Sequence, residues 1–339
     1  MKPTIYDVAR EAGVSIATVS KVINGTGRIS AETRRKVAKI MQQLDYQPSV
    51  VASALTGKST FTIGLLIPDL ANPFFAEMAR SIEDRGHELG FNLVICSTDN
   101  NPSREAQYIT LLKQKRVDGI IIATGISNEA LLKNLVKQKV PIALIARDMP
   151  ALAADSVLVD DFIGGYQATS HLISLGHRKI AVISEHLGLM SSKERVRGYR
   201  HALEEAGIPY DESMVCVSDF TVEGGKRCTR ALLQSDRPPT AVFACNDLLA
   251  IGAVQAAREN GLVIPRDLSV VGFDNTVLAT IIDPPLTTVA QPIQQMGRQV
   301  MDLLVQEIRK EKRVKQRAIL LPELIVRAST GAPSTGADG

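Results

Sequence analysis

The sequence lacks any long apolar run. No stretch approaches the ~18 consecutive apolar residues that a membrane-spanning helix needs. The amino-terminal segment also lacks the apolar centre of a secretory signal peptide, because Asp7 and Glu11 fall where that centre would lie. These absences argue against a membrane protein and against an exported one, so we expect a cytoplasmic protein.

Sequence motifs that bind metal ions are missing as well. The four cysteines include no C-x-x-C pair and have no array of histidines nearby; they are Cys96, Cys216, Cys228 and Cys245. Three of them lie in apolar, strand-like runs, so we expect buried thiols. The sequence implies neither a metal nor a cofactor.

Signatures of catalysis are also lacking. There is no G-x-G-x-x-G after a predicted strand and no nucleophile elbow, and the five histidines show no paired acid–base pattern. Residues 52–59 resemble a phosphate-binding P-loop, but Ala52 stands at its first glycine and no strand precedes it. An α/β enzyme is therefore disfavoured, and we expect no catalytic residues.

The chain does have an uneven distribution of charge. Residues 1–60 hold nine Lys or Arg and four Asp or Glu, a net charge of +5, which leaves −2 for the remainder because the total is +3. A length of 339 residues predicts two or three domains. A basic amino-terminal part on a slightly acidic body is typical of a DNA-binding domain joined to a sensing domain.

The first 46 residues predict three short helices. Residues 4–12 and 16–23 have helical spacing, and a three-residue break that contains Gly13 joins them. Such a pair is a helix-turn-helix, whose second helix enters the DNA major groove. A third helix runs to about Leu44. The predicted N-caps are Thr4, Ser15 and Ser30. The predicted small core consists of Ile5, Val8, Ala9, Val19, Val22, Val37, Ile40 and Leu44.

The second helix would present its first turn to base edges. Ile16 and Ala17 can touch thymine methyl groups, and Lys21 can donate hydrogen bonds to guanine O6 and N7. Thr18 and Ser20 can bond phosphates. These side chains predict both sequence reading and positioning on the duplex.

Residues 4–25, TIYDVAREAGVSIATVSKVING, resemble the headpiece of the LacI/GalR family of bacterial transcription regulators. The likeness extends from residue 2 to about residue 330. It implies that Ile16, Ala17 and Lys21 read bases. It also implies a hinge helix at 48–60, whose Leu55, next to Ala52, enters the minor groove and kinks the operator. Many members have arginine where Lys21 stands, and lysine cannot fork onto guanine, so the family's usual half-site does not transfer. The candidate DNA contacts are Thr4, Tyr6, Ser15, Ile16, Ala17, Thr18, Ser20, Lys21, Asn24, Ser30, Ala52, Leu55 and Lys58.

From residue 61 onwards, apolar strands alternate with amphipathic helices. Strands are predicted at 62–67, 92–96, 119–123, 142–145, 180–184, 214–217, 241–244 and 269–273. Helices are predicted at 74–89, 103–115, 164–175, 194–206, 223–234 and 248–260. Continuous Val/Ile/Leu strands between helices indicate parallel sheets covered on both faces. Two doubly wound α/β subdomains with a cleft between them account for this number of strands.

The resemblance implies the architecture of periplasmic binding proteins for this core. The predicted domains are a headpiece at 1–47, a hinge helix at 48–60, an effector-binding and dimerisation core at 61–330 and a disordered tail at 331–339. Subdomain one comprises about 61–160 and 292–322, and subdomain two comprises about 161–291 and 323–330.

Open α/β folds bind ligands where strands end and helices begin. Residues 69–75 follow the first core strand and open a helix. The resemblance places an effector cleft there, with Phe74 or Phe75 stacking on the ligand; packing of either ring in the core is the alternative. The resemblance also implies that Arg195, Phe220, Asn246 and Asp274 line the cleft. The candidate effector-binding residues are Asp69, Asn72, Phe74, Phe75, Arg147, Arg195, Phe220, Asn246 and Asp274.

Arg147 is the most informative of these candidates. It follows the strand at 142–145, at a position where several sugar-binding members of the family have aspartate. An arginine at the cleft edge, across from Arg195, favours a carboxylate or phosphate on the ligand. We therefore expect an acidic effector such as a uronic acid derivative or a sugar phosphate.

Together these features predict a sequence-specific, ligand-responsive transcription regulator, most often a repressor in the family that the chain resembles. It would bind a palindromic operator as a homodimer, because the two-fold symmetry of a dimer is mirrored in the site. We expect a dimer and not a tetramer, because no leucine-heptad segment follows residue 329. Effector binding would change the angle between the subdomains and order or melt the hinge helices. A solute receptor of the periplasmic type is the alternative, against which the headpiece argues.

Overall fold

The computed structural model of the chain describes residues 3–23, 27–46, 59–124, 135, 137, 140–149 and 152–334. The chain divides into two compact units, Met1–Thr60 and Phe61–Gly339. Four predicted DNA contacts lie outside the described residues: Asn24, Ala52, Leu55 and Lys58. Among the described residues, none of the helices combines the length and the apolar character needed to cross a membrane.

The first unit contains the three predicted helices: α1 (Ile5–Ala12), α2 (Ile16–Ile23) and α3 (Ala31–Gln43). Gly13 ends α1 with a φ of 62°, a left-handed conformation that favours glycine and turns the chain into α2. Every residue of the predicted small core lies in or against one apolar cluster, which centres on Val8, Ala9, Ala12, Val19 and Val37.

The predicted caps begin these helices. Thr4 donates from its backbone N and from Oγ1 to Asp7 Oδ2, at 2.9 and 2.7 Å. Ser15 Oγ accepts from the backbone N of Thr18 at 3.1 Å. Ser30 Oγ accepts in the same way from the third residue after it. The bonds of Thr4 N, Thr18 N and Thr33 N satisfy backbone donors that a helix start leaves without partners.

The second unit contains two six-stranded sheets. Sheet one consists of β1 (Thr62–Ile67), β2 (Asn92–Ser97), β3 (Gly119–Ile122), β4 (Ile142–Ile145), β5 (Asp155–Val159) and β11 (Arg317–Leu320). Sheet two consists of β6 (Ile180–Ser184), β7 (Val215–Val217), β8 (Ala241–Ala244), β9 (Ser269–Asp274), β10 (Thr287–Ala290) and β12 (Glu323–Ile325). All neighbouring strands are parallel except β10 and β12, which are antiparallel. The predicted fold class, with two parallel-sheet subdomains, is confirmed.

Helices cover both sheets. They are α4 (Pro73–Leu89), α5 (Pro102–Gln114), α6 (Asp161–Ser174), α7 (Met190–Glu205), α8 (Val222–Leu233), α9 (Asp247–Glu259), α10 (Val277–Ile281) and α11 (Ile293–Ile308). Each sheet has an apolar cluster on each face. Strands buried on both faces read as continuous apolar runs, which is why most of them could be predicted.

Several elements are missing from the sequence prediction. The strands β5, β10, β11 and β12 and the helices α10 and α11 are not among the predicted segments. Strands β11 and β12 lie at sheet edges and bury only part of their side chains, so their local pattern is weak. Helix α11 did carry a signal, because its buried Met296, Val300, Leu303 and Leu304 recur at helical spacing.

The expectation of buried thiols is wrong for two of the four cysteines. Cys216 and Cys228 form a disulfide between β7 and α8, with 5.8 Å between their Cα atoms. Cys96 and Cys245 are free and buried, as expected. The connection from β7 into α8 brings the bonded pair together, and their separation of 12 residues carries no pairing signature of its own.

The predicted disordered tail is wrong for its first four residues. Gly331 donates its backbone N–H to Ser269 Oγ at 3.0 Å, and its carbonyl accepts from His177 Nε2 at 2.9 Å. Ser334 Oγ donates to the carbonyl of Arg266 at 2.6 Å. These bonds hold residues 331–334 beside β9. The rest of the predicted tail lies outside the described residues.

Candidate functional site

The headpiece presents several predicted DNA contacts on its surface. Tyr6 is 68% exposed and Ile16 is 40% exposed, although both are large apolar side chains. Ala17 and Lys21 are also exposed, whereas Thr18 and Ser20 are half-buried. Exposed apolar side chains beside a lysine on α2 suit contacts with base edges.

Three of the predicted DNA contacts also have a structural role. Thr4, Ser15 and Ser30 are exposed, but each caps a helix of the headpiece. The hydroxyl groups of Ser15 and Thr18 are 2.9 Å apart and share a hydrogen bond. Their positions are compatible with phosphate contacts, which remain predictions.

The second unit has a cleft at the carboxyl ends of strands from both sheets. Sheet one has the order β11-β5-β4-β3-β1-β2, and sheet two has the order β12-β10-β9-β8-β6-β7. In sheet one, β2 lies on one side of β1 and the later strands lie on the other, so the strand order reverses between β1 and β3. Sheet two has the same reversal between β6 and β8. Open α/β sheets bind ligands beside such reversals, and the cleft lies beside both.

Eight of the nine predicted effector residues line this cleft: Asn72, Phe74, Phe75, Arg147, Arg195, Phe220, Asn246 and Asp274. Asp69 is the exception, because it lies outside the cleft and its Oδ1 accepts from the backbone N of Ala71 at 2.8 Å. Contact of the eight residues with a ligand remains a prediction.

The two phenylalanines serve the core and the cleft together. Phe74 and Phe75 are almost fully buried, and their ring centroids are 5.0 Å apart with an edge-to-face angle of 72°. Both rings belong to the apolar cluster of sheet one and also line the cleft. Asn72 caps α4 by accepting from the backbone N of Phe74 at 3.0 Å, which fixes the start of this segment.

Arg195 is held firmly at the base of the cleft. Its Nε donates to Asp161 Oδ1 at 2.8 Å, and its Nη1 donates to the carbonyl of Cys245. Its Cζ lies 3.7 Å from the ring centroid of Phe273. Burial by itself would lower the pKa of Arg195, but the nearby carboxylates, with Asp161 foremost, outweigh burial and raise the pKa.

Close packing of α6 against α7 sets the position of Arg195. A Cβ atom at Gly165 would lie 2.1 Å from the carbonyl oxygen of Arg195. A Cβ atom at Gly198 would lie 2.2 Å from the carbonyl oxygen of Phe162. Only glycine allows the two backbones to approach so closely.

Arg147 differs from Arg195 in its surroundings. It follows β4 directly after Ala146, whose φ of 54° is unusual for a residue with a side chain. Burial lowers the pKa of Arg147, and Arg195 acts in the same direction, while Glu185 opposes the change. The protein therefore stabilises the charge of this guanidinium incompletely.

Sequence reasoning missed two acidic groups of the cleft. Asp161 follows β5, a strand that was not predicted, so no signal marked it. Glu185 comes directly after the predicted strand β6, and the rule that placed Asn246 applies to it equally. Glu185 accepts from Ser192 Oγ at 2.5 Å and from Asn246 Nδ2 at 2.6 Å.

One buried carboxyl group, that of Asp274, lines the cleft, and another, that of Asp247, lies outside its lining. Asp274 is 5% exposed and accepts from Gln291 Nε2 at 2.7 Å. Asp247 accepts from Thr276 and from Thr288 Oγ1 and stabilises the loop that follows β9. Burial raises the pKa of Asp274 and that of Asp247, and it also raises the pKa of Asp161 against the effect of Arg195.

A helix-turn-helix headpiece and a two-sheet core with a polar cleft define a ligand-responsive transcription regulator. Residues 4–49 match the model of the bacterial regulatory proteins of the lacI family. Residues 60–327 match the model of the periplasmic binding proteins and the sugar binding domain of the LacI family. The chain belongs to the LacI family of bacterial transcription regulators, as its headpiece sequence indicated.

Individual relatives cover the whole chain. The chain is 51% identical to the HTH-type transcriptional regulator DegA of Bacillus subtilis, over 99% of its own length and 100% of that protein. A lac repressor dimer bound to operator and an anti-inducer superposes with a TM-score of 0.86 at 30% identity, over 98% of this chain and 100% of that one. A complex of the regulator CelR with cellobiose superposes with a TM-score of 0.75 at 34% identity, over 96% and 99%.

Proposed function

We propose that this protein binds a palindromic operator as a homodimer in the cytoplasm, most often to repress transcription, and that a small carbohydrate-like effector in the cleft controls this binding. The observation that carries the proposal is the convergence of eight polar and aromatic side chains from both sheets on one cleft of a chain that also has a headpiece. The solved relatives, one a dimer on operator DNA and one a cellobiose complex, support the same view.

The two-sided lining gives a physical basis for control. Phe74 follows β1 of sheet one, whereas Asn246 follows β8 and Phe220 follows β7 of sheet two. A ligand that contacts both sides binds one relative arrangement of the subdomains better than another, and only this difference in affinity can shift the equilibrium. A coupling free energy of about 1–3 kcal/mol would change operator affinity by about 5- to 150-fold.

The chemistry of the cleft is that of binding. Its acidic groups are engaged by internal donors, since Asp161 pairs with Arg195 and Glu185 accepts from Ser192 and Asn246. Aromatic rings together with fixed polar groups suit recognition of a sugar ring and its hydroxyls. We therefore propose a binding cleft without a catalytic function.

The test begins with selection of genomic fragments by the purified protein, followed by sequencing. We expect one palindromic motif, and fluorescence anisotropy should then show that Lys21→Ala relaxes the preference for it at one base position by about 1–3 kcal/mol. Lys39→Ala removes the same charge from α3 and should weaken all sequences alike. Equal affinity for the motif and for random DNA at physiological ionic strength would contradict the proposal.

A further inference from the structure

Arg147 has donors without protein partners. Within the part of the chain that the structure describes, its guanidinium takes part in no hydrogen bond and no ion pair, although its side chain is partly buried in the cleft wall. The neighbouring cation, Arg195, has a carboxylate, a carbonyl and an aromatic ring around it. A guanidinium has five N–H donors, and leaving them unpaired in a partly desolvated place is unfavourable.

The acidic groups of the cleft are already engaged elsewhere. Asp161 Oδ1 accepts from Arg195. Both carboxylate oxygens of Glu185 accept from other side chains. Asp274 accepts from Gln291. None of these carboxylates lies within ion-pair distance of Arg147, so the described residues of the cleft supply no counter-ion for it.

The balance of charge in the cleft limits the number of negative charges that the ligand carries. One guanidinium without a partner matches a single negative charge. Asp161 already offsets Arg195, and Glu185 is a further carboxylate of the same cleft, so a dianionic phosphate would meet more negative charge than Arg147 offsets. The carboxyl group of Asp274 also lines the cleft and can bond a ligand hydroxyl.

We propose that the effector is a sugar acid, a polyhydroxylated molecule with one carboxylate, and that Arg147 binds this carboxylate through paired hydrogen bonds. The proposal rests on the proposed function, because it takes the cleft to be the effector site. Arginine and carboxylate match in geometry and form a charge-assisted, two-point contact. The sugar-ring hydroxyls contact Asn246 and Asp274, and a phenylalanine ring covers the apolar face of the sugar.

The test uses the full-length protein and matched pairs of probes: D-glucuronate with D-glucose, D-galacturonate with D-galactose, and D-gluconate with D-glucitol. Glucose-6-phosphate forms a separate arm. Isothermal titration calorimetry and thermal melting measure binding, and anisotropy on the selected operator measures the response. We expect at least one acid to bind about 10- to 100-fold more tightly than its neutral counterpart, as for one added hydrogen-bonded charge.

Arg147→Met should abolish this preference, so that the acid and its neutral counterpart bind with affinities within about twofold of each other. Arg200→Met is the matched control. Arg200 lies on α7, pairs with Glu204 and is exposed, so its loss should leave the preference for the acid unchanged. Arg147→Lys should retain part of the preference, because lysine keeps the charge and loses the fork.

Three other results would contradict the sugar-acid proposal. Neutral sugars that bind as tightly as their acids and release the operator would overturn the sugar-acid proposal and leave the proposed function standing. Tighter binding of glucose-6-phosphate than of every acid would overturn the assignment of a carboxylate. If no probe of any class shifts melting or operator affinity, the sugar-acid proposal and effector control through this cleft both fail.

Discussion

Arg147 and Arg195 are two arginines of one cleft whose roles depend on their neighbours. Arg195 is fixed by Asp161, by a carbonyl and by the ring of Phe273, and its pKa is raised. Among the described residues Arg147 has no such partner, and its pKa is lowered, with burial as the main cause. The sequence named both residues, but only the contacts separate a structural cation from one that is available to a ligand.

Buried carboxyl groups predict a pH dependence of stability at the residue scale. Burial raises the pKa of Asp274, so the folded protein keeps a proton that the unfolded chain releases near pH 4. The free energy of unfolding should therefore fall as pH rises above this value, by up to about 1.4 kcal/mol per pH unit for one proton. Asp274→Asn removes this titration and should gain stability relative to the wild type between pH 4.5 and 7.5. Chemical denaturation of the ligand-free protein at several pH values measures the difference.

Asp267→Asn is the control for this prediction. Hydrogen bonds from Arg266 lower the pKa of Asp267 to about 2, and its side chain is 25% exposed. Its ionisation is complete throughout the measured range, so the difference between this variant and the wild type should not change with pH. A difference for Asp274→Asn that is equally flat would contradict a raised pKa.

At the scale of elements, the segment between β7 and α8 carries Phe220 into the cleft. The disulfide of Cys216 and Cys228 closes a loop around it. Cross-linking a short loop stabilises a protein mainly by restricting the unfolded chain, typically by about 2–4 kcal/mol. The covalent bond therefore stabilises the folded form of the segment that carries Phe220.

We expect reduction of this disulfide to lower the free energy of unfolding of the second unit by about 2–4 kcal/mol, because the unfolded chain regains its freedom. Urea denaturation with and without dithiothreitol measures the change. The double variant Cys216→Ala/Cys228→Ala should show no effect of dithiothreitol. In denaturant without reductant, a thiol assay should count only Cys96 and Cys245; detection of all four cysteines would refute the bond.

At the scale of the whole molecule, each of the two units has its own apolar interior. The headpiece cluster is built from residues 5–46, and the four clusters of the core are built from residues beyond Phe61. Units with separate cores fold as separate domains. The two family models likewise match the two units separately, at 4–49 and 60–327.

This separation predicts that residues 61–339 fold alone and keep the effector cleft. Without residues 1–60, affinity for an effector should stay within about twofold, and sequence-specific binding of DNA should be lost. Calorimetry with the effector and anisotropy with the operator measure the two properties. Loss of effector binding by a truncated protein that melts cooperatively would show that the headpiece contributes to the cleft.

Sequence alone determined the local features. Helix caps such as Ser15 and Ser30, the glycine turn at Gly13 and the runs of buried strands depend on interactions within a few residues, so their patterns are visible along the chain. Most of the cleft was also predicted, because the family resemblance implied positions such as Arg195 and Asn246 and several of the residues follow predicted strands. The place of Asp161 in the cleft was not predicted, because it follows β5, whose place in the sheet depends on pairing with β4 and β11.

Only the tertiary structure decided which groups remain without partners. It paired Cys216 with Cys228, bound residues 331–334 to the second sheet and surrounded Arg195 while leaving Arg147 open. Each of these contacts joins residues of different strands, helices or loops, which only the folded chain brings together. A linear pattern specifies which elements form, and packing determines which side chains meet, because contact depends on the crossing of backbones such as those at Gly165 and Gly198.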